Sequence, residues 1–441
     1  MLKTLRNAWK IEDLRKKILF TLLIVLLYRL GNAVPVPFIN VDVLQEYFNY
    51  SKLNGTVLGL YNTMSGGAFS HATIFALSIQ PYINASIIIQ LLCIAIPALE
   101  RLQKEGGEEG RKKIASITRY ATVIIGLIQG FAYYMMMRNA SSTYQIMNPD
   151  YVNSIWAAIV IILTFTSGSA LIMWLGEQIT EFGIGNGISI ILFTSIVARF
   201  PTDVYQQIKN MTAPAERANH LDWWVLVLMY LGGLLLIMMI VLVNDAERRI
   251  PVQYSKRVVG RKMYGGQSTH LPMKVNMSGV LPIIFAQSIA TIPATICMFV
   301  TKWQTSWLMT NVFNTNTWPY AVIYLLLIVF FSYFYSTIQF NPIEVANNLK
   351  KNGGFIPGFR AGKPTSDFIQ KVLNKITLFG AIYLGIIAVV PIIISMVSDA
   401  PALTGLSLGG TSIIIVVGVA LETVRALEAQ MVMRNYKGFL N

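Results

Sequence analysis

Apolar runs long enough to cross a lipid bilayer recur along the chain, at residues 18–38, 73–98, 114–137, 152–175, 183–200, 221–243, 276–300, 319–340, 375–397 and 410–431. A hydrocarbon core about 30 Å thick takes roughly 20 helical residues to cross, so the pattern predicts ten transmembrane helices and an all-α membrane protein. Composition agrees. Of 441 residues, 54% are hydrophobic and 13% charged. That is about half the charge of a soluble domain, which argues against a purely cytosolic enzyme.

The formal net charge of +14 would suit a nucleic-acid binder in a soluble chain. Here its meaning depends on where the charges lie relative to the apolar runs. About 27 of the 35 Lys and Arg residues fall in the amino terminus, the loops after even-numbered spans and the carboxyl tail, and about 6 in the other loops. The positive-inside rule then puts both termini in the cytosol. Lys3, Arg6, Lys10, Arg15, Lys16 and Lys17 precede the first run as in a signal peptide, but no small-residue cleavage site follows and Arg29 interrupts the run, so it reads as a retained span. Two loops on the cytosolic side are long. Residues 244–275 carry Arg248, Arg249, Lys256, Arg257, Arg261 and Lys262, and residues 341–374 carry Lys350, Lys351, Arg360, Lys363 and Lys371. Short turns would orient the helices equally well, so these loops read as docking surfaces.

Ten spans divide at an external hinge loop, 201–220, into residues 1–200 and 221–441. Five spans per half forces the halves into opposite orientations, an inverted repeat, and in such folds the working path lies where interrupted segments of the two halves meet. The second segment of each half fits: Ser78-Ile79-Gln80-Pro81-Tyr82-Ile83-Asn84-Ala85-Ser86, and Gly279-Val280-Leu281-Pro282-Ile283-Ile284-Phe285-Ala286-Gln287-Ser288. Ahead of the first lies the segment 59–70, apolar, glycine-rich and too short to cross. It reads as a re-entrant element inside the bundle, since half-spanning backbone is tolerated only when buried in protein or lining a cavity.

Titratable groups are nearly absent from mid-span positions, which argues against an ion-coupled transporter. Glu177 and Glu181 are expected in a short cytosolic turn, and Glu422 and Arg425 are placed to neutralise one another on the last helix. His71, His220 and His270 are scattered, without metal-ligand spacing. Cys93 and Cys297 are expected near opposite ends of their spans, too far apart for a disulfide. No nucleophile or phosphate-binding motif appears, so neither catalytic residue, metal nor cofactor is assigned. Energy must then come from outside, from a motor or another large acidic machine such as a ribosome.

Several separated blocks carry a family resemblance: Trp174-Leu175-Gly176-Glu177-Gln178-Ile179-Thr180-Glu181 running into Gly185-Asn186-Gly187-Ile188-Ser189; Gln267-Ser268-Thr269-His270-Leu271-Pro272 with Lys274-Val275-Asn276; Asn341-Pro342 with Asn347-Asn348-Leu349-Lys350-Lys351; Pro357-Gly358-Phe359-Arg360; and Gly409-Gly410-Thr411-Ser412. Together they resemble the SecY family, channel subunits of the bacterial protein translocase. The resemblance implies a waist ring at Ile79, Ile83, Ile188, Leu192, Ile284 and Ile415, the fourth being Leu where the family pattern is Ile. It makes Leu60, Tyr61, Asn62, Thr63, Met64, Ser65, Gly66, Gly67, Ala68 and Phe69 the plug. The second, third, seventh and eighth spans become a lateral gate, with Asn84 and Gln90 on one side and Gln287, Ser288, Thr291 and Ile292 on the other. Arg248, Arg249, Lys256, Arg257, Lys350, Lys351 and Arg360 would receive the SecA motor or the ribosome, with Arg360 as the critical cation. SecE would clamp the halves and SecG bind peripherally. Signal sequences, nascent polypeptides and lipid would meet at the gate, in the bacterial cytoplasmic membrane. The competing readings are an inverted-repeat secondary transporter, which needs a buried ion-binding carboxylate, and a structural scaffold, which needs neither plug nor paired proline interruptions.

Overall fold

The computed structural model describes residues 2–50, 57–212, 223–254, 257–259, 262–264, 268–299, 307–314, 317–397 and 409–437. A helix overlies each of the ten apolar runs. They are α2 (Glu12–Gly31), α5 (Gln80–Ala95), α7 (Gly107–Tyr144), α8 (Ile155–Phe182), α9 (Gly187–Met211), α10 (Trp223–Asp245), α11 (Leu281–Phe299), α13 (Trp318–Gln339), α15 (Lys363–Val397) and α16 (Gly409–Lys437). Short helices α1 (Leu2–Lys10), α3 (Val41–Tyr50), α4 (Val57–Met64), α6 (Pro97–Lys104), α12 (Trp307–Asn311) and α14 (Pro342–Lys351) lie between them. Among the described residues, 7 helices are long and apolar enough to cross a membrane alone, or 8 if α5 and α6 count as one broken span. The other two overlying helices fall short for visible reasons: α2 opens on Glu12, Asp13, Arg15, Lys16 and Lys17, and the apolar part of α11 covers Leu281–Pro293.

Local chemistry sets the helix ends. The run expected to be helical from 73 becomes helix only at Gln80, because Pro81 belongs in a first turn, where its missing N–H costs nothing, and Ser78 takes a positive φ of 50° just before it. Residues 65–79 are tight turns instead. Ile96, ahead of Pro97, is extended (φ −108°, ψ 112°), and there α5 and α6 bend by 106°. Helix α8 runs on through Glu177 and Glu181, so these are helical and not in a turn; Glu177 pairs with Arg119 of α7 at 2.9 Å. Helix α9 continues through Pro201 to Met211, so the first eleven residues of the expected hinge loop are helical, and 213–222 lie outside the described residues. Arg425 pairs with Asp245 and donates to the Asn244 carbonyl at 3.0 Å, tying α16 to α10 rather than neutralising Glu422.

The outer surface is that of a lipid-immersed bundle. On α10, Leu228, Leu231, Leu234, Leu235 and Met238 are exposed, below Trp223 and Trp224 at its start, where aromatic rings collect at a membrane interface. The buried apolar side chains gather into one large cluster drawn from α2, α5, α8, α9, α10, α11, α13, α15 and α16, and a second around α3, α7, α8 and the 65–79 turns.

The fold departs from all-helix in the two long polar loops. Strand β1 (Glu247–Tyr254) pairs antiparallel with β4 (Ser268–Lys274) and, at Gln253↔Phe355 and Tyr254↔Gly354, with β5 (Gly354–Phe355). A hairpin of β2 (Arg257–Val259) and β3 (Lys262–Tyr264) forms a separate pair. The period of two along β1 buries Ile250 and Val252 beneath the sheet. They meet Met273, Ile356 and, from the polar extension of α15, Ile369 and Leu373. Loops whose β1 and β5 partners Gln253 and Phe355 lie 102 positions apart thus share one core.

Candidate functional site

Four helix beginnings converge at the centre of the bundle. Ile79 caps α5 and Ile83 lies one turn in; Ile188 and Leu192 are likewise four residues apart at the start of α9; Ile284 is in the first turn of α11 and Ile415 in the second of α16. Residues four apart share a helix face, so each pair presents a double aliphatic edge. Ile79, Ile83, Leu192, Ile284 and Ile415 are buried in the same cluster, and half-buried Ile188 packs against it. Of the six, Ile284 is the least buried of the five buried side chains, at 6% exposure. An all-aliphatic constriction offers water no hydrogen-bond partner and stays dry when closed.

The 57–79 segment enters this centre. Met64 joins the same cluster and accepts from the Gln80 amide. Asn62 shapes the turn: its carbonyl accepts from Gly67 N–H at 2.8 Å and its Oδ1 from Ser70 N–H at 3.0 Å. Ser65 Oγ accepts from Phe69 N–H at 3.0 Å. Gly66, at φ +68°, lies so close to α9 that a Cβ would meet the Ser195 carbonyl oxygen at 2.8 Å, so the turn packs there only as glycine. Further on, Val36 N–H donates to Ala72 at 2.9 Å and Ile74 N–H to Val34 at 3.0 Å. Irregular backbone is therefore satisfied within the protein, the condition for its presence at membrane depth. Phe69 lies between Tyr61 and Tyr133, stacked on the latter at 4.2 Å, and Tyr133 donates to its carbonyl. Arg199 of α9 donates to Thr63 at 3.0 Å. The side chain of Leu60 lies outside the described residues.

Helix α11 packs against α5, α7 and α13, the four helices expected at the gate. Asn84 and Gln90 are half-buried on α5; Gln287, Ser288 and Thr291 are buried on α11, while Ile292 is 45% exposed on its outer side. Gln80 on α5 and Gln129 on α7 are two further buried polar side chains, not singled out as gate residues from the sequence. Gln80 Oε1, Gln90 Oε1, Gln129 Oε1, Gln287 Oε1 and Ser288 Oγ all lack a protein partner. Unpaired buried polar groups weaken the packing that holds them. Glutamines inside otherwise apolar runs are the signal that marks Gln80 and Gln129 in the sequence.

The cationic side chains fall together on the shared sheet and its flank. Arg248 and Arg249 are exposed on β1, Arg249 paired with Glu247 at 2.6 Å; Lys350 and Lys351 are exposed in the last turn of α14. Arg360 is exposed on the loop between β5 and α15. Lys256 lies outside the described residues, as do the side chains of Arg257 and Cys297; Cys93 is a buried free thiol. Among the described residues no group of three or more His, Cys, Asp or Glu is placed to hold a metal ion.

A helical bundle with an exposed apolar outer surface packs a re-entrant turn into its largest buried cluster. The SecY family model matches residues 73–424. A protein translocase subunit SecY from Streptomyces scabiei is 44% identical with both chains covered in full, and its counterpart from Mycobacterium bovis is 41% identical with the same coverage. The chain belongs to the SecY family. Among solved structures, that of a protein-conducting channel superposes with a TM-score of 0.62 at 16% identity, covering 95% of this chain and 93% of that one. Sec61 in the canine ribosome–channel complex from the endoplasmic reticulum gives 0.57 at 14% identity, again covering 95% and 93%. The protein is a multi-pass membrane channel subunit of a protein translocase, and neither family nor fold supports the secondary-transporter reading.

Proposed function

We propose that unfolded polypeptides cross through the constriction formed by Ile79, Ile83, Ile188, Leu192, Ile284 and Ile415, and that residues 60–69 act as its plug. The observation that carries this is the single buried cluster in which side chains of α5, α9, α11 and α16 meet Met64 of the re-entrant segment. A solved SecY relative whose plug domain stabilises the closed channel and maintains the membrane seal gives a TM-score of 0.61 at 16% identity, which supports the same assignment here. The lateral gate lies between α5 and α7 on one side and α11 and α13 on the other, where signal sequences and membrane segments meet lipid.

In this reading all ten overlying helices cross the membrane, in halves 1–200 and 221–441 related by inversion around 201–220, with both termini in the cytosol of a bacterium. The basic sheet then faces the cytosol and receives the SecA motor or the ribosome; SecE clamps the two halves and SecG binds beside them. Charge bias across the loops supports the orientation. Polar substitution of the ring tests the passage. Ile415→Asn, Ile83→Asn or Ile284→Asn should hydrate the constriction, so that reconstituted channels leak ions in planar bilayers and substrates with poor signal sequences pass more readily. Conductance and signal stringency unchanged in all three would remove these residues from the passage.

A further inference from the structure

We infer that Pro272 guards the open edge of the basic sheet, keeping an extended polypeptide at the cytosolic face from adding itself to β4 as a further strand. This rests on the channel reading above.

The strand order is β4-β1-β5, so β4 is paired along one side, against β1, and among the described strands it has no neighbour on the other. Such an edge presents a row of backbone donors and acceptors that an extended chain can complete. Strand addition draws its affinity from main-chain hydrogen bonds, so almost any sequence can take part. An unfolded substrate of arbitrary sequence, brought to this face, is the molecule most able to use it.

The register shows which residues of β4 turn outwards. Arg249 lies opposite Pro272, and Pro251 lies opposite His270. Directly opposed residues in an antiparallel pair alternate between those that exchange both backbone bonds and those that exchange none. Proline has no N–H, so these two pairs are of the second kind, and Arg248↔Met273, Ile250↔Leu271 and Val252↔Thr269 are of the first. The backbone groups of Ser268, His270, Pro272 and Lys274 therefore point away from β1, towards the open edge. Pro272 breaks that row near its middle. Its ring stands where a donor would reach an added strand, and a carbonyl placed opposite it would go unpaired. Lys274, also exposed, puts a charge on the same edge.

The other side of the sheet repeats the device. The same alternation turns Pro251 towards the β5 side of β1, two residues beyond Gln253, where the two-residue β5 has already ended. Both prolines are exposed. Each open stretch of edge thus carries a proline at an outward position, where the ladder to β1 or β4 loses nothing by it.

The test uses the complete translocase in vesicles and two secretory substrates of equal length. One has a central Val/Thr/Ile-rich segment that pairs readily as a strand; the other has a Pro-rich segment with few N–H groups to pair. Pro272→Thr restores the outward donor with a residue that strands favour. It should lower the strand-forming-to-Pro-rich transport ratio about two- to tenfold, the range that one ordinary neutral hydrogen bond represents. His270→Pro removes the neighbouring outward donor instead, and neither position bonds to β1. Added to Pro272→Thr it should restore the ratio, and alone it should leave the ratio unchanged. A ratio unaltered in Pro272→Thr, or not restored by the added proline, would overturn the guard. Equal slowing of both substrates by Pro272→Thr would overturn it too, since position 272 would then act in docking or between copies of the chain. Failure of the unsubstituted complex to transport either substrate would instead overturn the channel reading, so the two failures are distinguishable.

Discussion

Arg360 stands at an exposed loop tip whose backbone is held independently of its guanidinium: Thr365 Oγ1 donates to its carbonyl at 2.8 Å and the neighbouring Phe359 stacks on Phe368 at 4.2 Å. Arg360→Glu therefore reverses a charge without disturbing those contacts. In the proposed docking role it should cut motor-driven transport at least about tenfold while thermal unfolding of the purified protein shifts by no more than a surface substitution does, roughly 0.5 kcal/mol. Motor-driven transport at the unsubstituted rate would remove Arg360 from the docking surface. Lys350 and Lys351 should matter less one at a time, since rim charges chiefly set association rate and salt dependence. Single residues differ in how far the sequence reveals them. The isoleucines proposed for the waist are indistinguishable by type from the many other apolar residues of their runs, and only the family resemblance marks them. Arg425 was visible as an intramembrane charge, but its partner Asp245 is 180 positions away, and helix spacing pointed instead to nearby Glu422.

Helices and strands divide along the same line. The apolar runs located all ten overlying helices, because length and hydropathy are local properties. Their ends moved where a specific backbone feature intervened: positive φ at Ser78, the proline at 97, or an Asn186 side chain accepting from Ile188 N–H at 3.1 Å to start α9. The sheet is not legible in the sequence for a comparable reason. Strands β1 and β4 contain Pro251 and Pro272, which lower a strand reading, and β5 is only two residues long. Pairing between the two loops is a tertiary fact that no local pattern carries. At this scale the gate makes a clear prediction, because α11 packs against α5. A short cross-link from Asn84→Cys to Ile292→Cys should stop both translocation and membrane insertion, and a long flexible one should permit them. Transport into vesicles is measured with each linker in a background lacking Cys93 and Cys297. Equal transport with both would mean that the substrate does not part these helices.

Over the whole molecule, three parts have separate physical bases: a lipid-facing shell of exposed leucines and tryptophans, a buried apolar centre that Met64 of the re-entrant turn joins, and a basic sheet built from two loops. In the proposed reading, binding at the sheet is coupled to a centre that is closed by packing alone. The most direct test is to ask what a polypeptide touches while it is crossing. A secretory substrate carrying one central cysteine is arrested in transit through channels bearing Ile83→Cys, Ile415→Cys or, as a lipid-facing control, Leu234→Cys, whose native side chain is 69% exposed. The native Cys93 and Cys297 are removed. Disulfide trapping should join the arrested chain to positions 83 and 415 and leave Leu234→Cys unlinked; trapping at Leu234→Cys with none at 83 or 415 would contradict passage through the aliphatic centre.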